Sequence, residues 1–383
     1  MLLHDISETM NLTRRLRVAL VVPTLAVGGA EHHVVKLATS LVMDERIEPL
    51  IVVLCSSGRY EVVSSLPRGI TVVEGPYPKH RVGTIRWLAS VFRSFEVDVA
   101  HSFLWTADLC AAAAGAMMRQ PAIICSERGD RSLGRRWWAA AAERLLTFRV
   151  ADRFCANSAF GGRLLAELGC PVSKIEVIPN GVDLALIDNT PVAPLRRDLG
   201  WPEDVFVVGV CANLHWYKGI DVVLRAFAGL SSPDAVRCVL VGDGSERERL
   251  VALAHELGVA SRVAFLGRCV PSLSKVKAFD VAISATTRDS EHCPNAVLEA
   301  MSCRKAVIAT SVGGTPELIT SGVDGLIIPP SDPHALAFAI ERLRNDDVKR
   351  VAMAEAARRR IEAHFMMSDI AERFVQLWVK AAC

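Results

Sequence analysis

The chain has 383 residues, which suits two domains better than one. Half of them are apolar and 22% are charged, a globular balance that excludes a disordered chain and leaves enough apolar material for two cores. The formal net charge of +2 gives no reason to expect a nucleic-acid partner.

Residues 1–180 carry 21 Lys and Arg against 17 Asp and Glu, and the remainder carries 23 against 25. That modest excess favours the first half for an acidic or membrane-surface contact. The 11 cysteines are scattered singly, with no C-x-x-C pair. Reduced thiols in a cytoplasmic protein fit this pattern, and no metal site is expected.

In chain order, a leader of about 15 residues is followed by short apolar runs alternating with helix-period segments. No run approaches the roughly 20 apolar residues that span a bilayer. The first run follows Arg14, Arg15 and Arg17, as in a signal peptide, but a glycine turn and a polar helix come next instead of a cleavage site. Strands are predicted at 18–22, 50–54, 97–101, 122–126, 154–156 and 177–178. Helices are predicted at 31–43, 82–95, 106–118, 135–149 and 159–168. In the first helix Val34, Val35, Leu37, Ala38, Leu41 and Val42 form one apolar stripe. Repeated βα alternation predicts a parallel sheet covered on both faces.

The pattern pauses at Pro179-Asn180-Gly181-Val182-Asp183, and a Pro/Ala-rich stretch runs on to about residue 202. The alternation restarts with strands predicted at 205–211, 238–241, 263–266, 281–284, 306–309 and 326–328. Helices at 333–345, 348–364 and 368–379 close the chain. The expected organisation is an N-terminal domain over 1–182, a C-terminal domain over 183–365, and a terminal helix within 366–383 that packs back on the first domain. The fold class is α/β, with two Rossmann-like doubly wound domains facing each other across a cleft. Ligands in such sheets sit beyond the carboxyl ends of the strands, near helix N-termini.

The chemistry concentrates at those ends. Ser290-Glu291-His292-Cys293-Pro294-Asn295 leads into Ala296-Val297-Leu298-Glu299. One carboxylate in the loop and one a turn into the helix can accept hydrogen bonds from hydroxyl groups, while the helix start offers N–H groups to a phosphate. By spacing alone, two solvated glutamates flanking an ordinary helix start remain an equal reading. Ser311-Val312-Gly313-Gly314-Thr315-Pro316-Glu317 is a strand-to-helix turn whose glycines permit close backbone approach. Asn213-Leu214-His215-Trp216-Tyr217-Lys218-Gly219 puts a lysine where it can clamp a diphosphate. Gly242-Asp243-Gly244 is a second such turn. Gly28-Gly29-Ala30-Glu31 joins the first strand to the first helix without the full dinucleotide spacing.

Taken in order, and with Ile178-Pro179-Asn180-Gly181-Val182-Asp183 among them, these segments resemble the GT-B-fold retaining glycosyltransferases of family 4, the glycosyl transferases group 1, over about residues 17–345. The resemblance implies a nucleotide diphosphate sugar donor. Glu299 would hold its ribose and Glu291 its sugar, assisted by the backbone near His292, Cys293, Asn295 and Ala296. Lys218 would neutralise the leaving diphosphate, with Asn213 beside it, and Gly28 and Gly29 would approach the donor phosphates from the first domain. It implies transfer with retention, without metal or cofactor, to a glycan or lipid-linked acceptor in polysaccharide or glycolipid synthesis. His101, Glu127 and Arg128 would serve the acceptor side, with His101 equally readable as a buried structural histidine.

The sequence departs from the family at three points. Asn213 stands where an arginine is usual, five residues before the lysine, leaving His215 or Arg288 to supply the charge. Ser126-Glu127-Arg128 stands where many members place a histidine. Arg304 and Ala306 replace a small residue and a proline. A degenerate, non-catalytic sugar-nucleotide-binding partner is therefore the alternative; a sugar-nucleotide epimerase fits the glutamate spacing less well. The segment 128–149 adds Arg131, Arg135, Arg136, Arg144 and Arg149 with Trp137 and Trp138. It suits peripheral contact with an anionic membrane at the inner face, or a phosphorylated acceptor, and equally a solvated basic helix with its tryptophans packed inward.

Overall fold

A computed structural model describes residues 14–25, 28–55, 66–67, 69–76, 82–118, 121–129, 143–269 and 272–383. The chain divides into two compact units. The first comprises 1–157, 162–178 and 370–383, and the second comprises 158–161 and 179–369. The predicted helix over 135–149 falls largely outside the described residues, as do Arg131, Arg135, Arg136, Trp137 and Trp138.

The first unit is built on a parallel sheet. Its strands are β1 (Leu16–Val22), β2 (Ile47–Val53), β3 (Thr71–Glu74), β4 (Val99–Phe103), β5 (Ala122–Glu127), β6 (Arg153–Ala156) and β7 (Ile175–Val177). Their order is β3-β2-β1-β4-β5-β6-β7. β1 reads as a continuous apolar run because both its faces are covered, and Val18 to Val22 are fully buried. β3 escaped the sequence reading. It is four residues long, lies at the sheet edge beside β2, and exposes Thr71 and Glu74, so it has no apolar run to betray it.

The helix Gly29–Leu41 lays His33, Val34, Leu37, Ala38 and Leu41 on this sheet. The terminal helix Met367–Ala382 covers part of the same core. Its Ile370, Phe374, Val375, Leu377 and Trp378 are buried with Leu20, Val22 and Phe103. No described helix is long and apolar enough to cross a membrane.

The second unit repeats the plan with β8 (Phe206–Cys211), β9 (Val236–Val241), β10 (Val263–Gly267), β11 (Val281–Ser284), β12 (Ala306–Thr310) and β13 (Leu326–Ile328). All pair in parallel, in the order β10-β9-β8-β11-β12-β13. The strand order turns back between β8 and β11. The loops leaving these two neighbours diverge there, and in open α/β sheets that crevice takes the ligand. In the first unit the corresponding turn-back lies between β1 and β4.

Candidate functional site

In the second unit, the loops after β8, β11 and β12 are laced to one another. After β8, a tight turn over Trp216–Lys218 ends at Gly219, whose φ is +66°. A β-carbon on Gly219 would stand 2.0 Å from the Ala285 carbonyl oxygen, so this turn can lie against the β11 loop only as glycine. The Thr287 N–H donates to the Tyr217 carbonyl at 2.8 Å and fastens the two loops.

This lacing brings Lys218 onto Glu291. The ammonium forms a direct ion pair with Oε1, and the Thr286 hydroxyl donates to Oε2 at 2.7 Å. Both charged side chains are mostly buried, at 15% and 17% exposure, so neither is a freely solvated surface group. The Lys218 ammonium also lies 5.5 Å from the Tyr217 ring centroid. Arg288 stacks its guanidinium on the exposed Trp216 indole at 4.3 Å.

The loop after β12 closes the other side. The Gly314 N–H donates to the Glu291 carbonyl at 3.1 Å, and the Gly313 N–H donates to the Asp289 carboxylate at 2.6 Å. A β-carbon on Gly313 would meet the Glu291 carbonyl at 2.0 Å, and one on Gly314 would meet that of His292 at 1.9 Å. The close approach these glycines permit is thus to the neighbouring loop of the same protein. The Glu317 carboxylate receives the backbone N–H groups of Ala159 and Phe160 at 2.7 and 2.6 Å, a structural use of this motif's acid.

From that lattice the helix Asn295–Ser302 sets out, with Pro294 at its N-cap and no side-chain hydrogen bond from the cap. Its first-turn amides and positive dipole end lie at the same strand ends as Lys218 and Glu291. Glu299, half-buried, stands one turn in. Burial pushes the Cys303 thiol up to about 11, with the Glu299 charge adding to it, and the Cys211 thiol at the end of β8 is raised by the same two causes. The structure therefore pairs Lys218 with Glu291 and carries Asn295, Ala296 and Glu299 on the helix that follows the same loop. His292 and Cys293 are buried, His292 with its ring 5.3 Å from Phe160. Asn213 is exposed on the β8 loop. Among the described residues, no group of three or more His, Cys, Asp or Glu side chains is arranged to hold a metal ion.

Two contributors were not assigned from the sequence. Thr286, which orients Glu291, follows a strand with no distinguishing pattern. Asn180 belongs to the Pro179–Asp183 segment where the alternation pauses, and nothing local reveals its contacts. Its amide donates to the Cys293 carbonyl at 2.8 Å and to the Asn295 side chain at 2.9 Å.

The candidates of the first unit form a separate group. Gly28 caps the helix Gly29–Leu41, and the Glu31 carboxylate folds back against it, 2.3 Å from where a β-carbon would be. Its carbonyl accepts from the His32 ring at 2.8 Å. His101 on β4 is fully buried and stacked on Phe103, with one ring nitrogen bonded to Trp378 and the other to Ser126. Both nitrogens are engaged inside the core, so the structure favours the structural reading of this histidine over a catalytic one. Glu127 is buried and accepts from the Gly129 N–H at 3.1 Å. Arg128 stacks over Phe103 and Phe374 at 5.2 and 5.5 Å.

Comparison with known proteins supports the fold and the family. The model of the glycosyl transferases group 1 matches residues 192–360, and that of glycosyltransferase family 4 matches residues 27–186. The D-inositol 3-phosphate glycosyltransferase of Acidothermus cellulolyticus is 33% identical over 247 residues, covering 61% of this chain and 53% of the relative. An uncharacterised glycosyltransferase of Methanocaldococcus jannaschii is 26% identical over 245 residues, covering 62% of each. The chain spans about half the length of the curated relatives it matches. Among solved structures, Anabaena HepE in complex with UDP superposes with a TM-score of 0.83 at 22% identity, covering 95% of this chain and 100% of that one. Sucrose-phosphate synthase from Thermosynechococcus elongatus gives 0.81 at 21% identity, covering 96% and 99%. With the two matched segments covering nearly the whole chain and both parallel sheets in place, the protein belongs to the family 4, group 1 glycosyltransferases of GT-B fold.

Proposed function

We propose that this protein moves a hexose-type sugar from a nucleoside diphosphate donor to a glycan or lipid-linked acceptor, with retention of configuration. The observation that carries the reading is the meeting of Lys218 and Glu291 beside the first turn of the helix bearing Glu299. A diphosphate needs positive charge and aimed N–H donors, which Lys218 and the helix start supply. A sugar needs acceptors for its hydroxyls, which Glu291 supplies. A ribose needs one more, a turn along, which Glu299 supplies. With a lysine and a helix dipole opposite the leaving group, no metal is required. In this reading residues 183–365 take the donor and 1–182 the acceptor.

The test is transfer and slow hydrolysis of UDP- and GDP-sugars, with EDTA present. UDP is the first probe because HepE was solved with it. Release of nucleotide with retained anomeric configuration in the product supports the reading. Turnover that dies in EDTA and returns with Mg²⁺ or Mn²⁺ overturns its metal-free part.

Asn213 favours one second reading. It leaves the β8 loop one cation short of the family pattern, so a sugar-nucleotide-binding partner without turnover is the alternative. Tight binding with no release under any acceptor would select it.

The basic, tryptophan-bearing segment around Arg135, Arg136, Trp137 and Trp138 is the proposed contact with an anionic membrane at its cytoplasmic face. Its support is composition: each Lys or Arg near such a surface contributes about 1 kcal/mol, weakened by salt. Salt-insensitive absence of binding to anionic vesicles would remove this contact.

A further inference from the structure

The helix Asn295–Ser302 is eight residues long and has no side-chain cap at its N-terminus. A helix so short does not hold its own position; tertiary ties must do so. Two ties are present, one at each end, and both run to the segment with which the chain enters the second unit. At the N-terminal end, the Asn180 amide donates to the Cys293 carbonyl and the Asn295 side chain across 113 and 115 residues of sequence. At the C-terminal end, the Arg358 guanidinium donates to the Ser302 carbonyl at 2.8 Å and forms a two-bond pair with Asp188. Asp188 lies in the helix Leu184–Asn189, immediately after the same segment. Between Asn180 and that helix, Val182 is bonded on both sides to the returning chain. Its N–H donates to the Phe365 carbonyl and its own carbonyl receives the Met367 N–H, each at 2.9 Å.

We propose that Asn180 is a positioning residue for the donor pocket, holding the first turn of this helix where its amides meet the diphosphate. The inference rests on the function proposed above. The chemistry is specific to a carboxamide. Asn180 is buried, and its Nδ2 serves two acceptors at once. A carboxylate there would face the same two acceptors with no proton to give. Asp188 and Arg358 secure the far end, closer to Glu299. Loss of Asn180 should therefore loosen the phosphate end of the pocket and spare the ribose end.

The experiment compares UDP and uridine binding by calorimetry in the wild type, Asn180→Asp, Asn180→Ser and Asp188→Asn, with thermal melts on each. Asn180→Ser keeps one small donor and guards against an Asn180→Asp chain that does not fold. The expected result is an affinity for UDP at least tenfold weaker in Asn180→Asp and several-fold weaker in Asn180→Ser, with uridine affinity held within about twofold. Asp188→Asn should melt earlier yet keep the wild-type ratio of UDP to uridine affinity. If the Asn180 variants melt earlier and keep that ratio, Asn180 is merely structural and the proposal is overturned. If wild type binds none of UDP, GDP or ADP, the donor reading itself is overturned, and this assignment with it.

Discussion

The indole N–H of Trp378, on the terminal helix, donates to Nδ1 of His101 on β4 at 2.9 Å. An indole can only donate, so this nitrogen of His101 must be the acceptor. The ring proton is therefore on Nε2, which faces the Ser126 hydroxyl at 2.7 Å. One bond thus fixes the tautomer of a buried histidine and ties the last helix to the sheet of the first unit.

This arrangement predicts a pH dependence. Burial, and then the Arg128 charge, hold the His101 pKa well below its ordinary value of 6.5. His33, buried beside Phe374, is lowered for the same leading reason, with Arg128, Lys36 and His101 adding to it. Both rings are neutral in the folded chain and take up a proton on unfolding once the pH falls below about 6.5. Their contribution is full above that value and is lost as pH falls below it, by about 1.4 kcal/mol per pH unit for each histidine. Urea unfolding at pH 7.5, 6.5 and 5.5 checks this, in a window above the carboxylate range. A flat profile from 6.5 to 5.5 would contradict it.

Trp378 is also a large, fully buried side chain. Trp378→Ala should cost about 3–5 kcal/mol. Trp378→Phe keeps most of the ring and strands Nδ1 of His101, at about 1–3 kcal/mol. Denaturant midpoints should therefore fall from wild type to Trp378→Phe to Trp378→Ala, and a Trp378→Phe midpoint equal to that of wild type would show that the indole bond contributes nothing.

At the strand-end crevice, Glu299→Ala should weaken UDP binding by about 1.5–3 kcal/mol through loss of charge-assisted hydrogen bonds. The fold should survive, since a helix accepts alanine readily. Glu291→Gln should behave differently. It releases Lys218 from its ion pair, so UDP should bind as tightly as before or more so, while turnover of the sugar donor falls at least about tenfold. Calorimetry with UDP alongside steady-state hydrolysis separates the two. Parallel loss of both readouts in Glu291→Gln would place Glu291 on the nucleotide instead of the sugar.

Gly314→Ala should destabilise the second unit, because its β-carbon would overlap the His292 carbonyl and crowd Ser158. The cost should fall in the overpacking range of about 1–3 kcal/mol. It should also lower UDP affinity, because the displaced carbonyl adjoins the start of the glutamate helix. A melt and a UDP titration on one sample check both, and an unchanged melt would show that the loops part without penalty.

The sequence displayed most of this fold because the central strands are buried on both faces and so appear as apolar runs. It hid β3, where an edge position removes that pattern. It displayed lysine, glutamate and glycine at the strand ends, though the structure uses Gly219, Gly313, Gly314 and Glu317 to join the loops and backbone there. It could not display their meeting. Lys218 and Glu291 are 73 residues apart, and Asn180 is 113 residues from Cys293. The two readings of His101 stay open in the sequence for a related reason. The partner bonded to its Nδ1 lies 277 residues away.

The contact of Gly313 and Gly314 with the carbonyls of Glu291 and His292 bears on how a member of this family with the proposed activity could be retargeted. At these two glycines the loops meet backbone against backbone, and the Asp289 carboxylate adds a further tie to the Gly313 N–H. A foreign 286–294 segment grafted from a relative would arrive with its own carbonyl positions and find the glycine turn moulded to the old ones. Specificity here should be exchangeable only as a matched pair of loops, and single-loop chimaeras should lose stability before they gain a new donor.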